Sequence, residues 1–386
     1  MGERAFAGGA VMQVDGAIEG WTTPQFGAVK AAFASLFADG LELGASFALV
    51  IDGEPVAELW GGFADRGRTQ PFARTTLTPV YSTTKPIAAL VVGMLADQGA
   101  IDLEAPVADI WPEFGAHGKD KVSIADAMAH KAGVPGFVEP IDPDLWLDPP
   151  RLAAAVAALE PLWEPGTKHG YHPQTYGAIV GEIARRASGR SLGGLLRQEV
   201  CAPLGIDFWI GTPASEHARC AEILKPRQMT DFGELNRETR AAFLTKWASA
   251  TRGGAAWREA EMPGVNGHGT ALATAMLFQA FASGGRIGPL QLFGPKTYDA
   301  LTQERARGPD LVLPFDLSLR AGIMGNSNLF YGPNPEALGH SGWGGSCGFA
   351  DPAQRLSGAY VMNQQSNALM NDPRPGRLIA ATYGCL

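Results

Sequence analysis

The chain has 386 residues, with 39 acidic and 31 basic side chains and a net charge of −8. That length exceeds one small core and predicts one large or two intimate domains; with no basic run, nucleic-acid binding has no electrostatic support. No apolar stretch reaches the ~18 residues of a membrane span, Met1 to Phe6 shows no apolar leader, and Cys201, Cys220, Cys347 and Cys385 are scattered like free thiols of a reducing compartment, so a cytoplasmic location is expected.

Phe26, Val29, Phe33, Leu36 and Phe37 recur at helical spacing after the start signal Thr22-Thr23-Pro24. Gly40 and Gly44 stop that helix. Residues 46–51, the Asp52-Gly53 turn and residues 56–60 read as a β-hairpin. A loop then runs into Tyr81-Ser82-Thr83-Thr84-Lys85-Pro86 and an apolar run over 87–95, a buried helix with Ser82 in its first turn. Pro86 is tolerated there because its missing N–H falls at the helix start. From about Gly99, short helical patterns alternate with loops: 107–111, 123–129, 150–159, and 176–187 ending at Gly189. Strand signals are scarce until after His268. Residues 272–281 form another amphipathic helix, 317–324, 346–350 and 357–362 read as strands, and a short final helix over 378–383 is expected to pack with the first. The fold class is α/β (α+β): an antiparallel sheet drawn from 1–82 and 266–386, flanked by terminal helices, with a mainly helical domain inserted over 83–265 and the active site at their interface.

Three stretches carry chemistry. Ser82 and Lys85, three apart, lie on one helix face, at the end where spare N–H groups and the helix dipole favour developing negative charge. That suits an acyl-transfer nucleophile, although a Ser cap followed by a surface Lys gives the same pattern. A Pro165-Gly166 turn leads to Tyr171, just before a helix; a phenol of pKa ~10 shares a proton with a nearby Lys at modest cost. Gly339-His340-Ser341-Gly342-Trp343-Gly344-Gly345 offers small residues around His340, so that a substrate can lie against a strand edge with free N–H donors. Other matches are weaker. Ser346 fits G-x-S-x-G, but no His follows it and a strand stands where that motif needs a helix. His169 and His172 lack further ligands for a metal, and no phosphate loop or dinucleotide fingerprint appears. No metal and no cofactor are expected.

Together these stretches resemble the serine β-lactamase fold group, and within it the family VIII carboxylesterases, relatives of class C β-lactamases and DD-peptidases. The resemblance covers nearly the whole chain: Gly62-Phe63-Ala64-Asp65, Ser82 to Lys85, His130-Lys131-Ala132-Gly133-Val134-Pro135, Pro165-Gly166 to Tyr171, Gly189-Arg190-Ser191-Leu192, and Gly339 to Asp351. It implies a serine hydrolase of short-chain carboxylic esters, with Ser82 as nucleophile, Lys85 and Tyr171 as general acid/base, and Ser82, His340, Gly342 and Trp343 around the oxyanion and substrate. Two departures point to the esterase branch. Pro173 stands where similar β-lactamases have the Asn of Tyr-x-Asn, and His340 replaces the Lys of Lys-Thr/Ser-Gly, which helps bind a lactam carboxylate. For Lys85 to act as base near neutral pH, its pKa of ~10.4 has to fall by ~3 units, ~4–5 kcal/mol, through burial and the helix end. The alternatives are a β-lactamase or DD-peptidase-like amide hydrolase, an acyltransferase, and a catalytically silent binding homologue. The expected partner is a small-molecule ester, with no nucleic acid and no membrane.

Overall fold

The expected hairpin lies in the inner part of a nine-stranded sheet. A computed structural model describes residues 16–386, so the reading of the Met1 to Phe6 start lies outside the described residues. The strands are β1 (Glu19–Thr22), β2 (Gly44–Ile51), β3 (Glu54–Gly62), β4 (Ala306–Pro309), β5 (Asp316–Leu319), β6 (Met324–Gly325), β7 (Leu338–Ser341), β8 (Cys347–Asp351) and β9 (Leu356–Met362). Their order is 1-3-2-9-8-7-6-5-4, antiparallel throughout. Asp52 and Gly53, at φ +54° and +86°, make the tight turn that suits a right-twisted hairpin.

Alternation along β2 explains why it is buried on both faces. Ala45, Phe47 and Leu49 pack with Phe33 and Leu36 of α1 (Gly27–Ala38) and with Leu378 and Ile379 near the carboxy terminus. Ala48 and Val50 face the opposite core, which holds the apolar residues of α2 (Thr84–Asp97). That core also takes in much of α3 (Thr175–Ser188) and α4 (Ala271–Ala282). The last helix, α5 (Pro373–Tyr383), packs on α1.

Two differences from the sequence reading have physical causes. The span 317–324, expected as one strand, is the β5–β6 hairpin, with Leu319 opposite Met324 and a turn through Gly322 at φ +85°. The unanticipated strands β1 and β4 are the two edges of the sheet, four-residue segments alternating exposed and half-buried. Short edge strands with little apolar pattern are how sheets blunt their free borders. Between α2 and His268 the chain is helices and loops apart from the pair Phe208–Trp209. That pair joins Thr78–Pro79 and His268–Gly269 in a small antiparallel sheet, anchoring the chain just ahead of Ser82.

Helix α2 is buried at every residue from Thr84 to Leu95, the pattern of a central helix rather than a surface one. Pro86 is its third residue, within the first turn, where N–H groups lack helical partners. Across the sheet, Gly348 of β8 lets Phe278 of α4 approach: a Cβ there would lie 2.5 Å from the ring. Gly348→Ala is therefore expected to destabilise the protein by about 1–3 kcal/mol through overpacking, read as a lower denaturant midpoint at unchanged slope.

Candidate active site

Ser82 sits in the single turn Tyr81–Thr83 that leads directly into α2. From residue 76 to 95 it is the only side chain that is not buried, so its hydroxyl is the opening in an otherwise closed segment. Tyr81, immediately before it, has φ +47°, a left-handed conformation costing an aromatic residue about 1–2 kcal/mol. Two neighbours fix the turn. The Ser346 hydroxyl donates to the Val80 carbonyl at 2.7 Å, and Thr83 Oγ1 donates to the His340 carbonyl at 3.3 Å. Ser346 is thus a fully buried clip between β8 and the turn, not a nucleophile on an elbow.

Lys85 is fully buried. Its Nζ lies 3.2 Å from Ser82 Oγ, 2.9 Å from the Pro173 carbonyl and 2.9 Å from the Gly264 carbonyl. No carboxylate acts on it, and burial holds its pKa well below the ordinary lysine value. A neutral amine has two N–H bonds and one lone pair. The two carbonyls only accept, so they take both N–H bonds, and the lone pair is left for the Ser82 hydroxyl, the one partner able to donate. Glycine makes this convergence possible: a Cβ on Gly177, in the first turn of α3, would stand 2.8 Å from the Gly264 nitrogen.

Tyr171 is buried, with its ring centroid 4.8 Å from Lys85 Nζ. Burial raises its pKa well above that of a free phenol, the nearby Ser82 hydroxyl draws it down, and Asp310 adds to the rise; the phenol is neutral and holds its proton. Its loop is pinned from two sides. Asp310 Oδ1 accepts from the N–H groups of Tyr171, Val312 and Leu313 at 3.0, 2.9 and 2.8 Å. His130 Nδ1 accepts from the His172 N–H at 3.1 Å, and its ring packs 4.7 Å from that of Tyr171. His172 has both nitrogens engaged, Nε2 accepting from the Val134 N–H at 3.0 Å and Nδ1 donating to the Gly170 carbonyl at 2.6 Å, which leaves none for a metal.

Ser82, Tyr171, His340, Ser341 and Trp343 line one small cavity, whose other walls are Phe243, Leu313, Met324, Leu369 and Met370. His340 Nδ1 donates to the adjacent Ser341 carbonyl at 2.8 Å, its Nε2 has no partner among the described residues, and burial pushes its pKa down to about 3. It is a neutral acceptor and cannot stand in for a lysine. The strand carrying it is paired on both sides at Leu338 and Gly339 and open on one side only from His340 onward.

Two expected details change. Gly342 spends its N–H on the Ser346 carbonyl at 2.7 Å, so it has no free donor for a substrate; a Cβ there would lie 2.3 Å from the Val80 carbonyl oxygen, and its function is to let the two segments touch. Trp343 is not on the strand but in the turn after it, because Gly344 and Gly345 adopt φ +84° and +121°. Its N–H meets no carbonyl among the described residues, and neither does that of Ser82. The sequence brought Ser82, Lys85, Tyr171, His340 and Trp343 forward as site residues, and the fold gathers them. Asp310 and the role of His130 were missed: neither lies in a motif that states what it holds, and each reaches the Tyr171 loop through one backbone N–H distant in sequence.

Residues 33–382 match the Beta-lactamase family model. The chain is 34% identical over 373 residues to the esterase/beta-lactamase LipL of Mycobacterium tuberculosis, covering 92% of this chain and 85% of that protein. A crystal structure of a penicillin-binding protein homologue from Caulobacter crescentus is similar, with TM-score 0.93 and 50% identity over 96% of this chain and 100% of that one. A family VIII carboxylesterase structure gives TM-score 0.89 and 45% identity, again over 96% and 100%.

The labelling rate of Ser82 by a fluorophosphonate reads this geometry directly. A protonated Lys85 cannot accept the serine proton, so the rate falls as pH drops through its depressed pKa, with a slope of one. His172 and His340, neutral down to about 3, add no second step. Asp310→Ala, which frees the Tyr171 loop, is expected to slow labelling by about 10–100-fold; Asp310→Asn, which keeps the acceptor, stays within a few-fold of the parent.

Proposed function

The chain belongs to the beta-lactamase family, and we propose that within it the protein is a carboxylesterase, a serine hydrolase that cleaves short-chain esters through an acyl-enzyme on Ser82. The observation that carries the reading is the lysine geometry: Nζ 3.2 Å from Ser82 Oγ, with two carbonyls occupying its other directions.

In this mechanism Ser82 Oγ attacks the ester carbonyl as its proton passes to Lys85 Nζ. The N–H groups of Ser82 and Trp343 receive the oxyanion, each such donor being worth about 3 kcal/mol. The C–O bond to the alcohol breaks as Tyr171 delivers a proton to the leaving oxygen, resupplied from Lys85. Water then enters the leaving-group position, gives its proton back along the same path and releases the acid. Tyr171 works as a relay rather than as a standing phenolate, since burial keeps its proton on.

The small cavity lined by Tyr171, which in this mechanism takes the leaving group, favours an ester over a β-lactam or a peptide with a terminal carboxylate. Its lining includes no lysine or arginine, and His340 is neutral, so an anionic substrate carboxylate there would be desolvated without a partner. The cytoplasm is the setting we propose: all four cysteines are unpaired, as in a reducing compartment. The partner in this reading is a small-molecule ester, with neither nucleic acid nor a membrane involved.

A p-nitrophenyl ester of a short acid tests the reading. Pre-steady-state turnover is expected to give a burst of one p-nitrophenol per active site. Ser82→Ala abolishes it, and Lys85→Met lowers kcat by about 10²–10⁴-fold. A cephalosporin reporter is expected to trail the ester in kcat/KM by at least about 10–100-fold, the worth of one unmet charged contact. Full ester turnover by Ser82→Ala contradicts the proposal.

A further inference from the structure

Trp343 borders a second, larger cavity of about 730 Å³, which extends from Tyr81 to the loop 249–253. Lys225, Arg252 and Arg258 line it, and none of them enters an ion pair among the described residues. Its one carboxylate, Glu222, is already paired with Arg66 at 3.4 Å. In a chain with 39 acidic and 31 basic side chains, three unpaired cations around one cavity run against the average.

Of these three cations, Arg252 is the one set against the aromatic rings beside Ser82. Its guanidinium lies 5.4 Å from the Trp343 ring centroid and 5.9 Å from that of Tyr81. Aromatic faces hold a guanidinium by its charge but accept none of its five N–H bonds in the way a carboxylate does. Arg252 lines this cavity yet is itself exposed, and no carboxylate among the described residues pairs with it, so the protein itself supplies no anion.

The direction of the substrate follows from the two cavities. Tyr171 lines the smaller one and not the larger. The oxygen that Tyr171 protonates belongs to the alcohol, so the alcohol occupies the smaller, apolar cavity. The acyl chain then leaves the Ser82 carbonyl position on the other side, past Trp343 and towards Arg252.

We propose that the acyl half of the substrate ends in a carboxylate held by Arg252, so that the preferred substrates are half-esters of dicarboxylic acids. This rests on the esterase reading above and adds the substrate class. In the reaction the acyl C–O bond to the alcohol breaks, water supplies the new acid oxygen and the alcohol proton, and the distal carboxylate is unchanged.

The test compares monomethyl half-esters from glutarate to suberate with neutral methyl esters of the same chain length, titrating the acid released. The parent enzyme is expected to favour the best-fitting half-ester by about 10-fold or more in kcat/KM, and added salt is expected to shrink that ratio by screening. Arg252→Gln is expected to bring the ratio close to one, and Arg252→Glu to turn the preference towards an ω-amino acid methyl ester. Hydrolysis of the neutral esters with no gain for any half-ester overturns this proposal alone, as does a ratio that survives in Arg252→Gln. Hydrolysis of neither series, with Ser82 refractory to a fluorophosphonate, overturns the esterase reading and this proposal together.

Discussion

A lysine amine with two of its three directions taken by main-chain carbonyls is the constraint around which this molecule is arranged. Lys85 cannot turn towards water, because it is fully buried, and no carboxylate is set against it. Carrying a charge there costs several kcal/mol unless it is paired; shedding the proton removes the cost and leaves a lone pair facing Ser82. The carbonyls come from two loops that are remote in sequence, ending at Pro173 and Gly264. Each needs its own support: the first is held by His130 and Asp310, and the second passes closely over Gly177. Supports from both regions of the chain therefore converge on one nitrogen.

The shell around that nitrogen is polar yet uncharged. His130, His172 and His340 are all held neutral by burial. Tyr171 and Tyr176 keep their protons for the same reason, burial. In the proposed mechanism, proton transfer among Ser82, Lys85 and Tyr171 then meets no competing titration from these neighbours. Strain is placed at the same spot: Tyr81 and His130 both adopt positive φ, and each adjoins a segment that presents a reacting group. Such conformations cost about 1–3 kcal/mol and persist only where the surroundings fix them, as the Ser346 clip and the packing of the His130 ring against Tyr171 do here.

The parts of this arrangement that are local in sequence were legible. Ser82 and Lys85 announce themselves by spacing on a helix whose apolar run is unmistakable, and the central strands β2, β3, β8 and β9 show in their apolar and turn residues. The helix ending at Gly189 was visible because glycine alone adopts its φ of +71° without strain. What stayed hidden was set by tertiary partners. The edge strands β1 and β4 have too little apolar pattern to register. The resemblance places Gly342 around the oxyanion and substrate; only the fold brings the Ser346 carbonyl to its N–H. Asp310 has no motif at all, and its importance lies in three backbone N–H groups, one of them 139 positions away.

The charge on Lys85 decides the chemistry, and heteronuclear NMR of that side chain, assigned by the loss of its signal in Lys85→Met, measures it directly. The expected result is a Nζ that is neutral at pH values where an ordinary lysine, of pKa ~10.4, still carries its proton. A Lys85 that stays an ammonium up to about pH 10 would leave Ser82 without a base and contradict the mechanism at its root.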